Sequence, residues 1–146
     1  EVPEDEETIP LGTSQIAREG EDLTMIAYGA MLRPTLEAAD RLSAEDGVEA
    51  EVIDLLTISP LDDSLFTESV EKTGRVVIVH EAPRSFGPAG EIVARINEKA
   101  FWYLEAPINR VTGFDVIFPL FAREQAYLPG PDRIFNAARE TLNVRS

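Results

Sequence analysis

An α/β fold with three layers is predicted by two patterns, a set of apolar strand-like segments and the helical segments between them. Four segments are apolar along almost their whole length, which is typical of parallel strands covered on both faces. They are residues 23–28 (LTMIAY), 50–56 (AEVIDLL), 75–80 (RVVIVH) and 108–113 (INRVTG). Helices between such strands predict a mainly parallel sheet with helices on both faces.

The elements at the start of the chain follow from local chemistry. Residues 14–20 (SQIAREG) lie one tight turn before the first apolar strand, and their polar character predicts an edge strand, for which an antiparallel direction is one option. After the first apolar strand, Pro34 suits the first turn of a helix. Apolar residues then recur at a spacing of three up to Gly47, which predicts the end of that helix.

Three further helices are predicted along the rest of the chain. Asp62 or Asp63 can cap a helix over residues 65–73, which Gly74 closes. Residues 91–104 (EIVARINEKAFWYL) show helical spacing. A last amphipathic helix is expected over residues 132–142.

Length and composition predict one soluble domain. The chain has 146 residues, of which 44% are hydrophobic and 27% charged, and these values exclude wholesale disorder. It has no cysteine, which excludes disulfides and cysteine-ligated metals and is consistent with a cytoplasmic location. Residues 1–10 (EVPEDEETIP) are an acidic linker or lead-in, and residues 11–146 form the predicted domain. Because there is no initiator Met, we expect a fragment of a longer polypeptide.

The charge distribution restricts the choice of partners. A net charge of −14 repels phosphate backbones and anionic membranes, so nucleic acid and membrane are excluded and basic partners are favoured.

Arginines number 11 but lysines only two, and the acids spread over the whole chain, which indicates a halophilic organism. An acidic mesophilic domain is the alternative. We expect the melting temperature to rise steeply between dilute buffer and molar KCl, and a flat response would refute the high-salt interpretation.

Polar residues at two strand ends are the candidates for a binding site. Ligands collect at the carboxyl ends of strands in open α/β sheets, and here Gly29 follows one strand while His80, Glu81 and Arg84 follow another. His80 is either a packed or subunit-contact residue or an acid/base or ligand group. The segment FGPAGE lacks the known phosphate-binding glycine patterns, which favours a simple turn into a helix. No nucleophile–base pair for a complete hydrolase or transferase is found.

A surplus of aromatic residues predicts contact surfaces. Phe101, Trp102 and Tyr103 are consecutive, so one face of a helix cannot bury all three. Phe118 and Phe121 lie in a later segment without clear periodicity. Such rings are expected at subunit interfaces, and an aromatic mini-core inside the monomer is the alternative.

These segments together carry a family resemblance. The strings YGAMLRPTLEAADRL, VIDLLTISPLDDSLFTESVEKTGRVVIVHEAPRSFGPAGEI, RVTGFDV and QAYLPGPDRI resemble the C-terminal domain of transketolase-like proteins over residues 9–142. They are most similar to the β subunits of thiamine-diphosphate-dependent 2-oxo acid dehydrogenases of the pyruvate and branched-chain type. The resemblance implies a three-layer αβα sandwich with a mixed, mostly parallel five-stranded sheet and an antiparallel first strand.

The resemblance also implies a role in assembly without a complete active site. In this family an upstream pyrimidine-binding domain and the α subunit hold thiamine diphosphate and Mg²⁺, so no catalytic, cofactor or metal residue is carried over. The implied partners are that upstream domain, the α subunit, a second β subunit in an α2β2 assembly, and the basic peripheral-subunit-binding domain of the acyltransferase. The fragment alone is expected to be inactive.

Two departures from the family pattern and one alternative function accompany this interpretation. Many relatives have a glycine pair where this chain has Ser85-Phe86-Gly87-Pro88, and FDVIFPLFAREQ replaces a proline-rich run. The alternative function is a regulatory module that binds a small molecule or nucleotide at the strand ends near Gly29 and His80.

Overall fold

The computed structural model describes residues 8–144, in which one five-stranded sheet lies between two layers of helices. The strands are β1 (Gln15–Arg18), β2 (Leu23–Ala27), β3 (Ala50–Asp54), β4 (Val76–Pro83) and β5 (Asn109–Gly113). Their order across the sheet is β1-β3-β2-β4-β5, with β1 antiparallel to β3 and the other pairs parallel. The predicted α/β class and the antiparallel first strand are confirmed. Residues 1–7 of the expected acidic lead-in lie outside the described part.

The ends of β3 and β4 show how the strand bounds differ from the sequence prediction. The second apolar segment leaves the sheet after Asp54 and not at residue 56. Conversely, β4 continues beyond His80, because pairing with β5 resumes between Pro83 and Gly113 after a shift in register. Such an irregularity at the end of a strand changes its direction and the side chains that it presents.

In the described part of the chain, five α-helices connect and cover the strands. They are α1 (Leu32–Asp46), α2 (Ser64–Thr73), α3 (Ala89–Ala100), the short α4 (Glu124–Tyr127) and α5 (Pro131–Leu142). Single 3₁₀ turns span Gly29–Met31, Phe101–Tyr103 and Phe121–Arg123. None of the helices within residues 8–144 combines the length and apolarity that a membrane-spanning helix needs.

The helix predicted over residues 91–104 is wrong at its C-terminal end. The α-helix ends at Ala100, and the three aromatic residues that follow form a 3₁₀ turn. Leu104 is extended and its N–H donates to the carbonyl of Phe101, which closes the turn. The aromatic side chains therefore project from a tight turn.

The sequence predicts that Asp62 or Asp63 caps α2, and the structure gives these two carboxylates different roles. Asp63 occupies the N-cap position, but its carboxylate binds Arg95 and Lys99 of α3 and caps no N–H group. The neighbouring Asp62 accepts the N–H and the hydroxyl of Ser64 instead. The two cations of α3 attract the Asp63 carboxylate more strongly than neutral N–H donors do.

The core consists of two clusters, one on each face of the sheet. Alternate strand residues point to opposite faces, so Met25 and Val52 pack with α1 and α5, whereas Ile26 and Ile53 pack with α2 and α3. Both sets are fully buried. Burial on both faces is the physical reason that these strands are apolar along their whole length.

Candidate functional site at the carboxyl edge of the sheet

The parallel strands β2, β3, β4 and β5 all end at one edge of the sheet, called here the carboxyl edge. From the central strand β2 the chain crosses to β3 on one side, and from β3 it returns past β2 to β4 on the other side. The ends of β2 and β4 therefore mark the point at which the strand order reverses. In open α/β sheets, ligands bind at this position.

A cavity of about 490 Å³ lies at this reversal point. It is lined by residues from the ends of β2 and β4 and from the long segment after β5, namely Tyr28, Glu81, Ala82, Pro83, Val116, Phe118 and Tyr127. Apolar atoms line most of it, and Glu81 is the only residue in that lining that carries a carboxylate. Such a lining suits an apolar group more than a phosphate or a metal ion.

His80 lies behind this cavity and is fully buried. Its ring stacks on Tyr28 with 6.2 Å between ring centroids, and neither ring nitrogen has a hydrogen-bond partner among the described residues. Burial lowers the pKa of His80, because a charged imidazolium at this position would lose the hydration that stabilises it in water. The structure therefore holds a neutral, packed imidazole at this position.

Gly87 fixes the loop after β4 against this imidazole. A Cβ atom at Gly87 would meet the Pro83 carbonyl oxygen and would lie 2.8 Å from Cε1 of His80. The loop thus approaches the ring as closely as a residue without a side chain permits. Ser85 does not face His80: its hydroxyl donates to Asp115 at 2.7 Å. Ser85 and His80 therefore form no serine–histidine pair.

Two loops at the carboxyl edge are joined by one polar contact. Ser85, after β4, donates its N–H and its hydroxyl to the carboxylate of Asp115, after β5, at 2.8 and 2.7 Å. These donors hold the pKa of Asp115 below its usual value, with the Ser85 N–H the larger cause. Arg84 donates to the carbonyl of Arg110 at 3.0 Å and ties the same loop to β5.

Phe86 stands at the tip of the first loop, with its side chain fully exposed. Its φ of 59° lies in the left-handed region, which side-chain-bearing residues rarely adopt. A glycine at this place would adopt that conformation freely. The departure noted in the sequence therefore coincides with an exposed aromatic ring on a strained backbone.

An exposed apolar surface, called here the carboxyl-edge surface, is formed by the two joined loops. Four of its side chains are more than nine-tenths exposed and three are about half exposed. Its residues are Phe86, Phe114, Val116, Ile117, Phe118, Leu120 and Phe121. Phe118 and Phe114 also pack edge-to-face on the ring of Tyr127, with centroid distances of 4.9 and 6.1 Å. A small aromatic cluster inside the chain thus supports part of an exposed surface.

The aromatic residues of the 3₁₀ turn lie at the opposite edge of the sheet, where β4 begins. This amino-edge triplet comprises Phe101, Trp102 and Tyr103, of which Trp102 is 91% exposed. The rings of Phe101 and Trp102 contact edge-to-face at 5.1 Å. The N–H of Glu105 donates to the carbonyl of Gly74 at 2.8 Å and fixes the chain after the turn.

The structure therefore divides the predicted site residues into two groups. Gly29, in the turn after β2 with a φ of 56°, lies at the carboxyl edge with His80, Glu81, Arg84, Phe118 and Phe121. Phe101, Trp102 and Tyr103 lie at the amino edge. Sequence reasoning missed Phe86, Ile117 and Leu120, which are among the most exposed apolar residues. For Phe86, the sequence offered one signal, which was its place in a segment where the family pattern has a glycine pair.

The turn before α3 does not fit the diphosphate of thiamine diphosphate. Pro88 has no N–H, and the N–H groups of Gly90 and Glu91 already donate to the carbonyls of Gly87 and Pro88. Within residues 8–144, His, Asp and Glu side chains form no group of three that could hold a metal ion. The described residues thus provide no cradle for the cofactor or for Mg²⁺ at this turn.

Comparisons with known proteins agree with this architecture. Residues 12–134 match the family described as "Transketolase, C-terminal domain". The pyruvate dehydrogenase E1 component subunit beta of Bacillus subtilis is 48% identical over 97% of this chain and 43% of its own length. The subunit of that name from Acholeplasma laidlawii is 41% identical over 99% of this chain and 44% of its own length. The chain thus spans less than half the length of these relatives.

A solved structure shows the same fold. A split-gene transketolase, described as an inactive beta4 tetramer, superposes with a TM-score of 0.83 at 27% identity, over the whole of this chain and 46% of its own. The five-stranded mixed sheet and the family match point to one conclusion: this chain belongs to the transketolase C-terminal domain family.

Proposed function

We propose that this chain is the C-terminal domain of the β subunit of a pyruvate dehydrogenase E1 component, and that it serves assembly. The observation that carries the proposal is 48% identity to such a subunit over 97% of the chain. Thiamine diphosphate and Mg²⁺ would bind to an upstream pyrimidine-binding domain and to the α subunit. The enzyme would be cytoplasmic, and this domain would supply contacts and no reacting group.

The amino-edge triplet supports a role in contacts between subunits. Trp102 is almost fully exposed, and large aromatic rings are the residues that most often dominate interface energies. The backbone bonds at Leu104 and Glu105 hold the turn in one conformation, so little entropy is lost when a partner binds. We assign this surface to contact with another subunit of an α2β2 assembly, either the α subunit or the second β subunit.

The acidic surface supports a second contact of a different kind. A net charge of −14 attracts a basic domain over long range and accelerates its association, and salt screens this effect. The peripheral-subunit-binding domain of the acyltransferase is the proposed basic partner. Such a contact is weaker and more salt-dependent than the apolar contacts within the assembly.

The test uses the parent chain, the longer β polypeptide of which this chain would be the C-terminal part, expressed together with the α chain. We expect Phe101→Ala combined with Trp102→Ala to weaken the heterotetramer by roughly tenfold or more, measured by analytical ultracentrifugation. Glu98→Ala, an exposed change one helical turn away, is the matched control and should leave assembly unchanged. Normal assembly of the double variant would contradict the assignment of this surface.

A second candidate function follows from the cavity at the ends of β2 and β4. A regulatory ligand could occupy its volume of about 490 Å³, next to Tyr28 and Glu81. Calorimetric titration of the parent chain with nucleotides and with 2-oxo acids distinguishes the two functions. If the domain serves assembly alone, the titration should give no heat of binding. A saturable heat of binding that becomes smaller in the Phe118→Ala variant would favour the regulatory function.

A further inference from the structure

We propose that the half of the parent chain that precedes this domain packs on the carboxyl-edge surface and fills the cavity beneath it with an apolar side chain. This inference rests on the proposed function, because it assumes a parent chain about twice as long as this one. It assigns an intramolecular partner to that surface. The amino-edge triplet would then be the surface left for other subunits.

The direction of β1 places the preceding polypeptide at this edge. Because β1 is antiparallel to β3, its first residue, Gln15, pairs with Asp54, the last residue of β3. Just before it, Ser14 donates its N–H and its hydroxyl to Asp62 in the loop that follows β3. The chain therefore enters the sheet at the carboxyl edge.

The distance from this point to the cavity is short. Strands β1 and β4 are separated by β3 and β2, which corresponds to roughly 14 Å at the usual strand spacing. The described residues before β1 stay beside the loop that follows β3, where a Cβ atom at Gly12 would lie 3.1 Å from Cγ of Pro60. A domain attached there therefore lies within reach of the cavity and of the loops around it.

The size of the carboxyl-edge surface favours a permanent partner. A buried aromatic side chain covers about 150–250 Å². Four nearly fully exposed side chains and three half-exposed ones therefore offer roughly 800 Å² of apolar area. That is about one partner's share of a standard interface, and it exceeds the roughly 300–600 Å² patch of a typical soluble monomer.

The chemistry of the surface distinguishes this partner from the basic acyltransferase domain. Asp115 lies on one of the two loops that form the surface, and its carboxylate is already bound by two donors from Ser85. The guanidinium of Arg133 lies over the Phe114 ring, 4.7 Å from the ring centroid. A basic partner would find there the Glu81 carboxylate in the cavity lining and the occupied carboxylate of Asp115, whereas the seven side chains of the surface itself are apolar, as in the core of a permanent contact. The Ser85–Asp115 contact also holds both loops in position before a partner arrives, which reduces the entropy lost on packing.

Photo-crosslinking of the parent chain tests this inference. The photoreactive amino acid p-benzoylphenylalanine replaces Phe121 in one variant and Phe86 in another, and in a control it replaces Trp102. These side chains are exposed in this domain, so a larger aromatic ring does not disturb its core. We expect irradiation of the first two variants, without the α chain, to give crosslinks to peptides from the preceding half. Their yield should stay constant over a hundredfold dilution, and the Trp102 control should give no such peptides.

Each other outcome overturns the inference. A covalent β–β dimer whose yield falls on dilution would assign the surface to a second copy, and a product with the α chain in the complex would assign it to that subunit. If neither variant gives a crosslink, the surface faces solvent in the parent chain and the inference is wrong. Decarboxylation of pyruvate by the α–β complex is a separate readout for the proposed function. An active complex whose Phe121 variant crosslinks to the α chain would keep the proposed function and remove this inference.

Discussion

Both edges of the sheet expose aromatic side chains, but they hold them in different ways. At the amino edge, three consecutive residues project from a single turn that backbone hydrogen bonds fix locally. At the carboxyl edge, two loops far apart in sequence are joined by Ser85 and Asp115 above a cavity and a buried imidazole. The amino-edge surface is therefore a local feature, whereas the carboxyl-edge surface depends on tertiary contacts.

This difference predicts where the molecule is sensitive to substitution. A change in the core beneath the carboxyl edge should alter both loops there, because the His80 ring contacts Tyr28, which lines the cavity, and the loop at Gly87 approaches the same ring. The amino-edge triplet should be unaffected by such a change. Three predictions test this contrast, from the largest expected effect to the smallest.

Gly87→Ala should cause the largest loss of stability. The added methyl group meets the Pro83 carbonyl and the His80 ring, so the loop after β4 must move, which costs about 2–3 kcal/mol of the free energy of unfolding. Chemical denaturation of the chain measures this loss. Gly90→Ala is the matched control, because a Cβ there meets nothing within 4 Å and Gly90 lies in α3, where alanine is favoured. Equal effects of the two changes would contradict the close packing at Gly87.

The pH dependence of stability should report His80. Burial lowers the pKa of His80 in the folded chain. As the pH falls through about 6.5, the unfolded chain therefore binds a proton at His80 while the folded chain does not. The free energy of unfolding should therefore fall as the pH drops below about 6.5, by at most about 1.4 kcal/mol per pH unit, and stay level above it. Urea denaturation at pH 7.0 and 5.5 measures the change.

Two variants sharpen this measurement. His80→Leu removes the only histidine of the chain, so the fall between pH 7.0 and 5.5 should disappear. Tyr28→Phe keeps the stacked ring and should retain it. Asp54 acts in the opposite direction, because burial raises its pKa and its protonation favours the folded chain at lower pH. A fall of the same size in the His80→Leu variant would show that another group is responsible.

Asp115→Ala should have the smallest and most local effect. Without the carboxylate the two loops at the carboxyl edge separate, and amide hydrogen exchange over residues 114–121 should accelerate several-fold. Exchange over residues 101–105 at the amino edge should not change. Exchange mass spectrometry compares the two regions in one sample. Equal acceleration at both edges would contradict the separation between them.

Much of the fold could be predicted because its causes are local or periodic. The strand containing Met25 and Ile26 is apolar at successive positions, and that pattern requires burial on both faces. Gly47 and Gly74 end their helices with left-handed backbones, as the sequence predicts. The end of α3 was mispredicted because the aromatic residues after Ala100 continue a helical spacing but form a 3₁₀ turn.

The candidate site was harder to predict from the sequence than the fold was. Glu81 and Phe118 were predicted separately, and only folding shows that they line one cavity. Nothing in the local sequence pairs Ser85 with Asp115, which lie 30 residues apart. Phe86 was noted as a departure from a glycine pair, but its exposure is a property of the folded loop, in which Phe86 has a φ of 59° and Gly87 lies close to the His80 ring.

The sequence by itself determined the α/β class, the excess of acid and the family, and the antiparallel direction of the first strand was implied only by the family resemblance. Those properties depend on periodicity, composition and contiguous motifs, which the order of residues contains directly. Only the tertiary structure decided that the aromatic residues fall on two opposite edges, and that the chain enters the sheet at the edge with the cavity. The physical reason is that strand order and direction bring distant loops together, and no local propensity encodes a contact between them.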